Sequence, residues 1–452
     1  MLKRAVPDGQ QPSKERRLKT LADLAQLFEK CMDSARDEHG LLYDELNAHT
    51  MQPWTDSELR ALGAASWPES AALPSMAWGG ESKPTSCWSY GLSGGYTYEN
   101  SVTTTGRYIC AKILKHLATG GDEGALSDAE GAVRALLALS EEGDKVEKGL
   151  LPKPFGGLKK ASQSTGMSND QYEHALLGLC RFRRACPDSP LVPEIESAIV
   201  RWTQYFLRED WSYLFHGRYW ACLEPCDRGD YPVSALVHPL GLYMPLCLMS
   251  HEFTGDQQYL DQFHHRLLPV LQRWIQNPAE RFTGHTNSCE LQAMGMYFCQ
   301  TQGFIAKEAQ QALEHCWNMS KKRLSPDSLD LDLYGMTQGH RVRPRYLDVE
   351  LPDTGGKRGL WISNMKTPQS LKTAHTGTLL QRLRHEADRG TTIRRILERF
   401  QTVTDITNLI DQDGKQVPPD HKYMTESICV EMVAAWLQVY YMSEVLVDED
   451  GL

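Results

Sequence analysis

The chain has 452 residues, 41% of them hydrophobic, and a formal net charge of −10 from 58 acidic and 48 basic side chains. That length supports a large core, either as two or three average domains or as one barrel or toroid. The acid excess argues against a general nucleic-acid or anionic-membrane surface, and no apolar run approaches the roughly 18 residues of a membrane span.

The opening MLKRAVPDGQQPSKERR has positive charge but no apolar stretch of a secretory signal, so residues 1–16 read as a flexible arm and 17–452 as one domain. Helical periodicity then recurs near 17–36, 99–119, 125–140, 169–185, 191–207, 237–253, 257–275, 287–303, 305–323, 368–386, 390–400 and 424–445. Strand-like runs are few, and the class is all-α. The helices alternate in kind. Apolar ones such as ALLGLCRF and LGLYMPLCLM suit burial on most sides, and the charged ones that follow, such as EIESAIVRW, suit burial on one side. Pro245, inside an apolar helix, predicts a kink.

Apolar-to-amphipathic links are short, whereas the links back, 141–168, 208–236, 276–286, 324–367 and 401–423, are long. The long loops therefore emerge on one face. Six parallel inner helices inside six outer ones, closed by the first helix and the last, satisfy this pattern without a long unstructured crossing. The twelve cysteines are scattered, and Cys110, Cys180, Cys299 and Cys429 sit in apolar helices, which fits reduced thiols and a cytoplasmic location.

The arrangement, with turn fragments ATGGDEGALSDA (118–129) and FTGDQQYLDQF (253–263), resembles the (α/α)6 toroid of the six-hairpin glycosidase superfamily and of several polysaccharide lyase families. In the unsaturated glucuronyl hydrolases of that superfamily an aspartate at the start of an inner helix is the general acid and base. Asp170, followed by Gln171 and ALLGL, is similar in position and context, while the upstream aspartate of those enzymes has no convincing counterpart. Fold alone does not give function.

In MSNDQYEHALLG (167–178) Ser168 reads as an N-cap and Gln171 as its capping-box partner, with Asp170 in the first turn and His174 on the same face. Alone, this stretch is a capped core helix whose carboxylate complements the helix dipole. Placed second in a ring of inner helices, it faces a shared mouth. Glu99 is the candidate partner of Asp170, and the separation of the two would decide between retention and inversion. Tyr172 and His174 are the further catalytic candidates, since an elimination needs groups that abstract and return protons.

Substrate-binding candidates at the same mouth are Trp88, Tyr98, Asn100, Gln171, Tyr231, His238, His285, Asn287, Arg341, Arg343, Trp361 and Tyr423. Aromatic faces stack on sugar rings and amides meet hydroxyls, although such aromatics also fill gaps at helix ends. The basic run GHRVRPRYLDVE with GGKRG suits a carboxylated or sulfated ligand, although its own Asp348, Glu350 and Asp353 also neutralise it.

Gly91–Gly95 (GLSGG) matches a nucleophile elbow but follows no strand. Cys222 and Cys226 near His216 and His238 lack the spacing of a standard zinc site, so no metal and no cofactor is assigned. The reading is a glycoside hydrolase acting on anionic, uronic-acid-containing oligosaccharides. A polysaccharide lyase, a sugar epimerase and a non-catalytic carbohydrate-binding toroid are the alternatives.

Overall fold

A computed structural model describes residues 20–47, 50–61, 91–164, 166–215, 218–220, 239–276, 286–323, 344–350, 357–362, 369–384, 387–403 and 427–445. In chain order the helices are α1 (Leu21–Ser34), α2 (Asp56–Ala61), α3 (Gly91–Tyr96), α4 (Ser101–Ala118), α5 (Glu123–Asp144), α6 (Asn169–Ala185) and α7 (Val192–Arg208). They continue with α8 (Pro239–Thr254), α9 (Gln257–Gln262), α10 (Leu268–Gln276), α11 (Thr286–Thr301), α12 (Ala306–Arg323), α13 (Gln369–Arg384), α14 (Ala387–Val403) and α15 (Val430–Glu444). The strands are β1 (Glu45–Asn47), β2 (Gln52–Pro53), β3 (Tyr213–Phe215), β4 (Arg218–Trp220), β5 (Pro344–Glu350), β6 (Lys357–Ile362) and β7 (Ser427–Cys429).

Helices α4, α6, α8, α11, α13 and α15 each pack against the next, and α15 packs back on α4, which closes an inner ring of six. Outside them lie α5, α7, the α9–α10 pair, α12, α14 and α1, each against its inner neighbours. The protein is an (α/α)6 toroid. Residue type explains the two layers. On α7 the buried side chains recur at helical spacing, Ile195, Ala198, Ile199, Trp202 and Phe206, whereas α15 buries nearly every side chain from Val430 to Val439.

Two glycine pairs bring inner helices together at backbone distance. A Cβ on Gly178 would lie 2.9 Å from the Gly106 carbonyl oxygen, and one on Gly295 would lie 2.1 Å from that of Gly241. The α4–α6 and α8–α11 contacts therefore depend on the missing side chains.

Several expectations change in detail. Helix α8 continues through Pro245. The outer helix over 257–276 holds a π turn at Phe263–Leu267, whose His264 and His265 face solvent. The last inner helix begins at Val430 because Ser427–Cys429 pairs antiparallel with Glu45–Asn47 (Leu46 opposite Ile428), and β1 also pairs with β2. The basic segment before α13 contains a hairpin, with Pro344 opposite Ile362 and Glu350 opposite Lys357. All nine described cysteines are free thiols. Among the described residues no helix is long and apolar enough to cross a membrane.

Candidate functional site

Contacts join the early turns of the inner helices, Gln171 with Glu99, Gly241 with Glu173 and Leu291, and Arg107, Glu290, His375 and Gln438 with one another, so their N-terminal ends lie on one face and form a mouth. At the start of α4 the chain is held by Asp44. Its backbone N–H donates to the Thr97 carbonyl at 2.7 Å, and its Oδ2 accepts from Asn100 N at 3.3 Å. Tyr98 donates its hydroxyl to Asp37 Oδ2 at 3.1 Å and meets Tyr43 edge to face. Burial, then the Asp37 charge, pushes the Tyr98 phenol upward, and burial raises Asp37 as well. Tyr98 is thereby a neutral hydrogen-bond donor that anchors the rim.

Glu99, the next residue, is 5% exposed, and Lys153 Nζ lies 3.5 Å from its Oε1. The lysine comes from the long link before α6. Gln171 Nε2 donates to the Glu99 carbonyl oxygen at 2.5 Å, which ties the start of α6 to the start of α4. Asp170 precedes that glutamine. It is half-buried, and its Oδ1 accepts from Gln171 N at 3.0 Å. Glu99 and Asp170 are thus brought to one end of neighbouring inner helices, as expected.

The capping box is a correction. Ser168 is the N-cap of α6, but its side chain makes no capping hydrogen bond: Asp170 Oδ1 takes the Gln171 N–H, and the Gln171 side chain reaches across to Glu99 instead of back to the N-cap. The same motif does form at α1, where Thr20 and Asp23 bond reciprocally. Interhelical bonding takes precedence where both partners are buried.

Beneath the mouth the bore is filled by a polar network. Arg107 on α4 reaches α11, the helix opposite it in the ring, and donates to both oxygens of Glu290 at 2.9 and 2.8 Å. Arg107 Nη1 also lies 3.3 Å from Gln438 Oε1 on α15. His375 Nδ1 is 2.8 Å from Glu290 Oε1, and Gln438 Nε2 is 3.3 Å from His375 Nε2. Because the Gln438 oxygen accepts from arginine, its amide N–H₂ faces the imidazole, so Nε2 accepts and Nδ1–H donates to Glu290. The four side chains close a ring of hydrogen bonds. Glu431 adds a carboxylate 3.6 Å from Arg107 Nε and 3.8 Å from Lys372 Nζ.

Burial alone would raise the Glu290 carboxyl, but Arg107 and His375 outweigh it and hold it well below the usual carboxylate range. Burial lowers His375 despite the neighbouring Glu290. It lowers His174 further, with Arg107 adding to the effect, so both imidazoles are neutral near pH 7. Glu173 goes the other way: burial first, then Glu290 and Asp170, raise its carboxyl well above normal. Its Oε1 lies where a Cβ on Gly241 would come within 2.7 Å, at the close α8–α11 contact.

Tyr172 and His174 stand apart from the paired carboxylates. The Tyr172 hydroxyl donates to Gly149 O at 2.9 Å and accepts from Leu151 N at 2.5 Å, while its ring packs on Trp202 and Phe206 of the outer layer. Its oxygen is committed to the backbone of the link before α6. His174 is buried, and the charges around it are those of the bore, Arg107, Glu290, Lys372 and His375.

Asn287 falls in the first turn of α11, and Trp361 lies on β6 opposite Arg345. Trp88, Tyr231, His238, His285, Arg341, Arg343 and Tyr423 lie outside the described residues, as do Cys222 and Cys226. Among the described residues no group of three or more His, Cys, Asp or Glu is arranged to hold a metal ion. A cavity of about 280 Å³ between α13, α14 and α15, lined by Arg382, Ile393, Leu397 and Met442 among others, opens at the far ends of these helices from the mouth.

Sequence reasoning passed over Arg107, Lys153, His375, Glu431 and Gln438. Each carries a signal in hindsight. Arg107, His375, Glu431 and Gln438 are polar residues inside inner-helix stretches (TTTGRYICAKIL, LKTAHTGTLL, CVEMVAAWLQVYY), and Lys153 sits between two prolines in a long mouth-side link.

No family model matches the chain, and no curated protein sequence matches it. Among solved structures, a family 76 glycoside hydrolase from a bovine Bacteroides thetaiotaomicron strain is similar in fold at 10% identity, with a TM-score of 0.47, over 95% of this chain and 78% of that one.

Proposed function

We propose that the protein is a carbohydrate-active enzyme, a glycoside hydrolase acting on uronic-acid-containing oligosaccharides, with Asp170 as the general acid and Glu99 as the carboxylate that receives the proton of the attacking water. The observation that carries this reading is the bond from Gln171 Nε2 to the Glu99 carbonyl, which puts two unlike carboxylates at adjoining helix starts: Glu99, buried beside an ammonium, and Asp170, half-buried. Two carboxyl groups in different environments are what glycosidic cleavage uses. One gives a proton to the leaving oxygen, and the other receives a proton from the attacking water.

The anionic substrate is supported by the positions of cationic residues. Lys153 and Lys372 come from mouth-side ends of the chain, and Arg345, Lys357 and Arg358 lie on the hairpin that precedes α13. Hydrolysis is favoured over elimination because the Tyr172 hydroxyl already bonds backbone groups and His174 is buried beside the bore network.

The test is incubation with saturated and unsaturated oligouronides, following reducing ends and enuronate absorbance. Hydrolysis releases reducing ends and removes the absorbance of unsaturated substrates, whereas a lyase creates that absorbance. Retained sugar binding with neither signal would move the assignment to a non-catalytic carbohydrate-binding toroid.

A further inference from the structure

We propose that Lys153 is the positioning residue of the Glu99 carboxylate, which makes Glu99 the anionic member of the pair and leaves Asp170 as the proton donor. This inference rests on the hydrolase reading above.

Lys153 is not held like a surface lysine. Pro152 and Pro154 fix the backbone on either side, and all three residues are buried together with Phe155. The Lys153 N–H donates to Gly166 O at 2.7 Å, its carbonyl accepts from Phe155 N at 2.9 Å, and Gly156 N donates to Gly94 O at 3.1 Å. The strap is thus anchored to the end of its own link and to α3, immediately before α4. It delivers an ammonium that is only 5% exposed to within 3.5 Å of Glu99 Oε1. A lysine is almost never buried to this degree without a charge to answer.

The surroundings of Glu99 show what that charge does. Asp44 holds the start of α4, Asp37 receives the Tyr98 hydroxyl, and Asp170 lies at the start of α6. Three carboxyl groups thus gather around the same helix end, and the Lys153 ammonium stands beside Glu99 among them. In the hydrolytic step the Asp170 proton passes to the glycosidic oxygen as its bond to the anomeric carbon breaks. Water adds to that carbon, and its proton passes to Glu99.

The experiment compares wild type, Lys153→Met and Lys153→Arg, with Lys153→Gln in place of the Met variant should that one fail to fold. Kinetics on the oligouronide that the wild type cleaves are paired with ¹³C NMR of the glutamate carboxyl carbons, the Glu99 signal being assigned by Glu99→Gln. Loss of the ammonium is expected to lower kcat at least about tenfold with KM within about twofold, the size of a disturbed proton-transfer group. The Glu99 midpoint is expected to move upward, and Lys153→Arg is expected to recover part of both. An unchanged Glu99 midpoint in Lys153→Met overturns the inference. A shifted midpoint in a wild type that cleaves no oligouronide leaves the Lys153–Glu99 coupling standing and overturns the hydrolase reading instead.

Discussion

Removing Arg107 tests whether the ring across the bore holds the toroid together. Both partners of the Arg107–Glu290 pair are fully buried and bonded through two N–H donors. Arg107→Met leaves the Glu290 carboxylate without its main counter-charge, and breaking a buried pair in this way costs about 3–5 kcal/mol. Unfolding entropy of about 2.1 cal/mol/K per residue over 452 residues makes 1 kcal/mol worth roughly 1 °C in the midpoint, so the expected drop is about 3–5 °C. Thermal and urea unfolding of Arg107→Met, Glu290→Gln and the double variant form a cycle. The double variant should lose clearly less than the two single losses added, because it leaves neither charge alone. Recovery stays partial, since His375, Gln438 and Glu431 still lose a partner. A loss below about 1 kcal/mol for Arg107→Met, or strictly additive losses, would refute the bracing role.

Asp170→Asn should cut oligouronide turnover by about a hundredfold or more while moving the unfolding midpoint little, since the side chain is half-buried and its Oδ1 accepts from the N–H of its own neighbour, a bond that the Asn oxygen can replace; full activity in this variant removes its assigned role. Tyr172→Phe should cost about 1–3 kcal/mol in urea unfolding, because it orphans the Leu151 N–H and the Gly149 carbonyl that its hydroxyl bridges. Gly295→Ala places a Cβ 2.1 Å from the Gly241 oxygen and should destabilise by about 1–3 kcal/mol or more, whereas Gly120→Ala, which meets no neighbour, should lose only what its positive φ demands. Glu173 has a raised carboxyl, so the folded protein keeps a proton that the unfolded chain releases above its ordinary carboxylate range, and stability falls as pH rises from there toward the folded value. The midpoint gain of Glu173→Gln over wild type should therefore grow between pH ~4.5 and neutrality and vanish in acid; a pH-independent difference means that Glu173 is charged in the fold.

The toroid was legible because its determinants are local and repeat. Inner and outer helices differ in how far apolar residues wrap around them, as in α15 against α7, and the unequal links set the face on which the mouth opens. Periodicity placed α6 within the bounds observed, but it did not reveal that Gln171 leaves its own helix to bond Glu99, a contact spanning 72 positions in sequence. The strands escaped for a related reason. Ser427–Cys429 is too short to read as anything but the start of an apolar helix, and it becomes a strand only because Glu45–Asn47 comes to lie beside it.

The bore was the least legible part, and its physics explains why. A lone arginine in an apolar helix is unfavourable by every local measure and acquires meaning only from partners on α11 and α15, up to 331 positions away. Arg107 was thus a local inconsistency in the sequence, a charge where the pattern calls for an apolar side chain. The answer to that inconsistency lies across the ring axis, in Glu290. A charge on the axis of a six-helix ring needs a counter-charge from another helix, and here the opposite helix supplies the bidentate one. Arg107 and Glu290 thereby fix the register between α4 and α11, and through His375 and Gln438 between α13 and α15. These four helices also begin at the mouth, so the brace fixes the level at which the start of α4, with Glu99 just before it, stands against α11, α13 and α15, while Gln171 ties α6 to that same level.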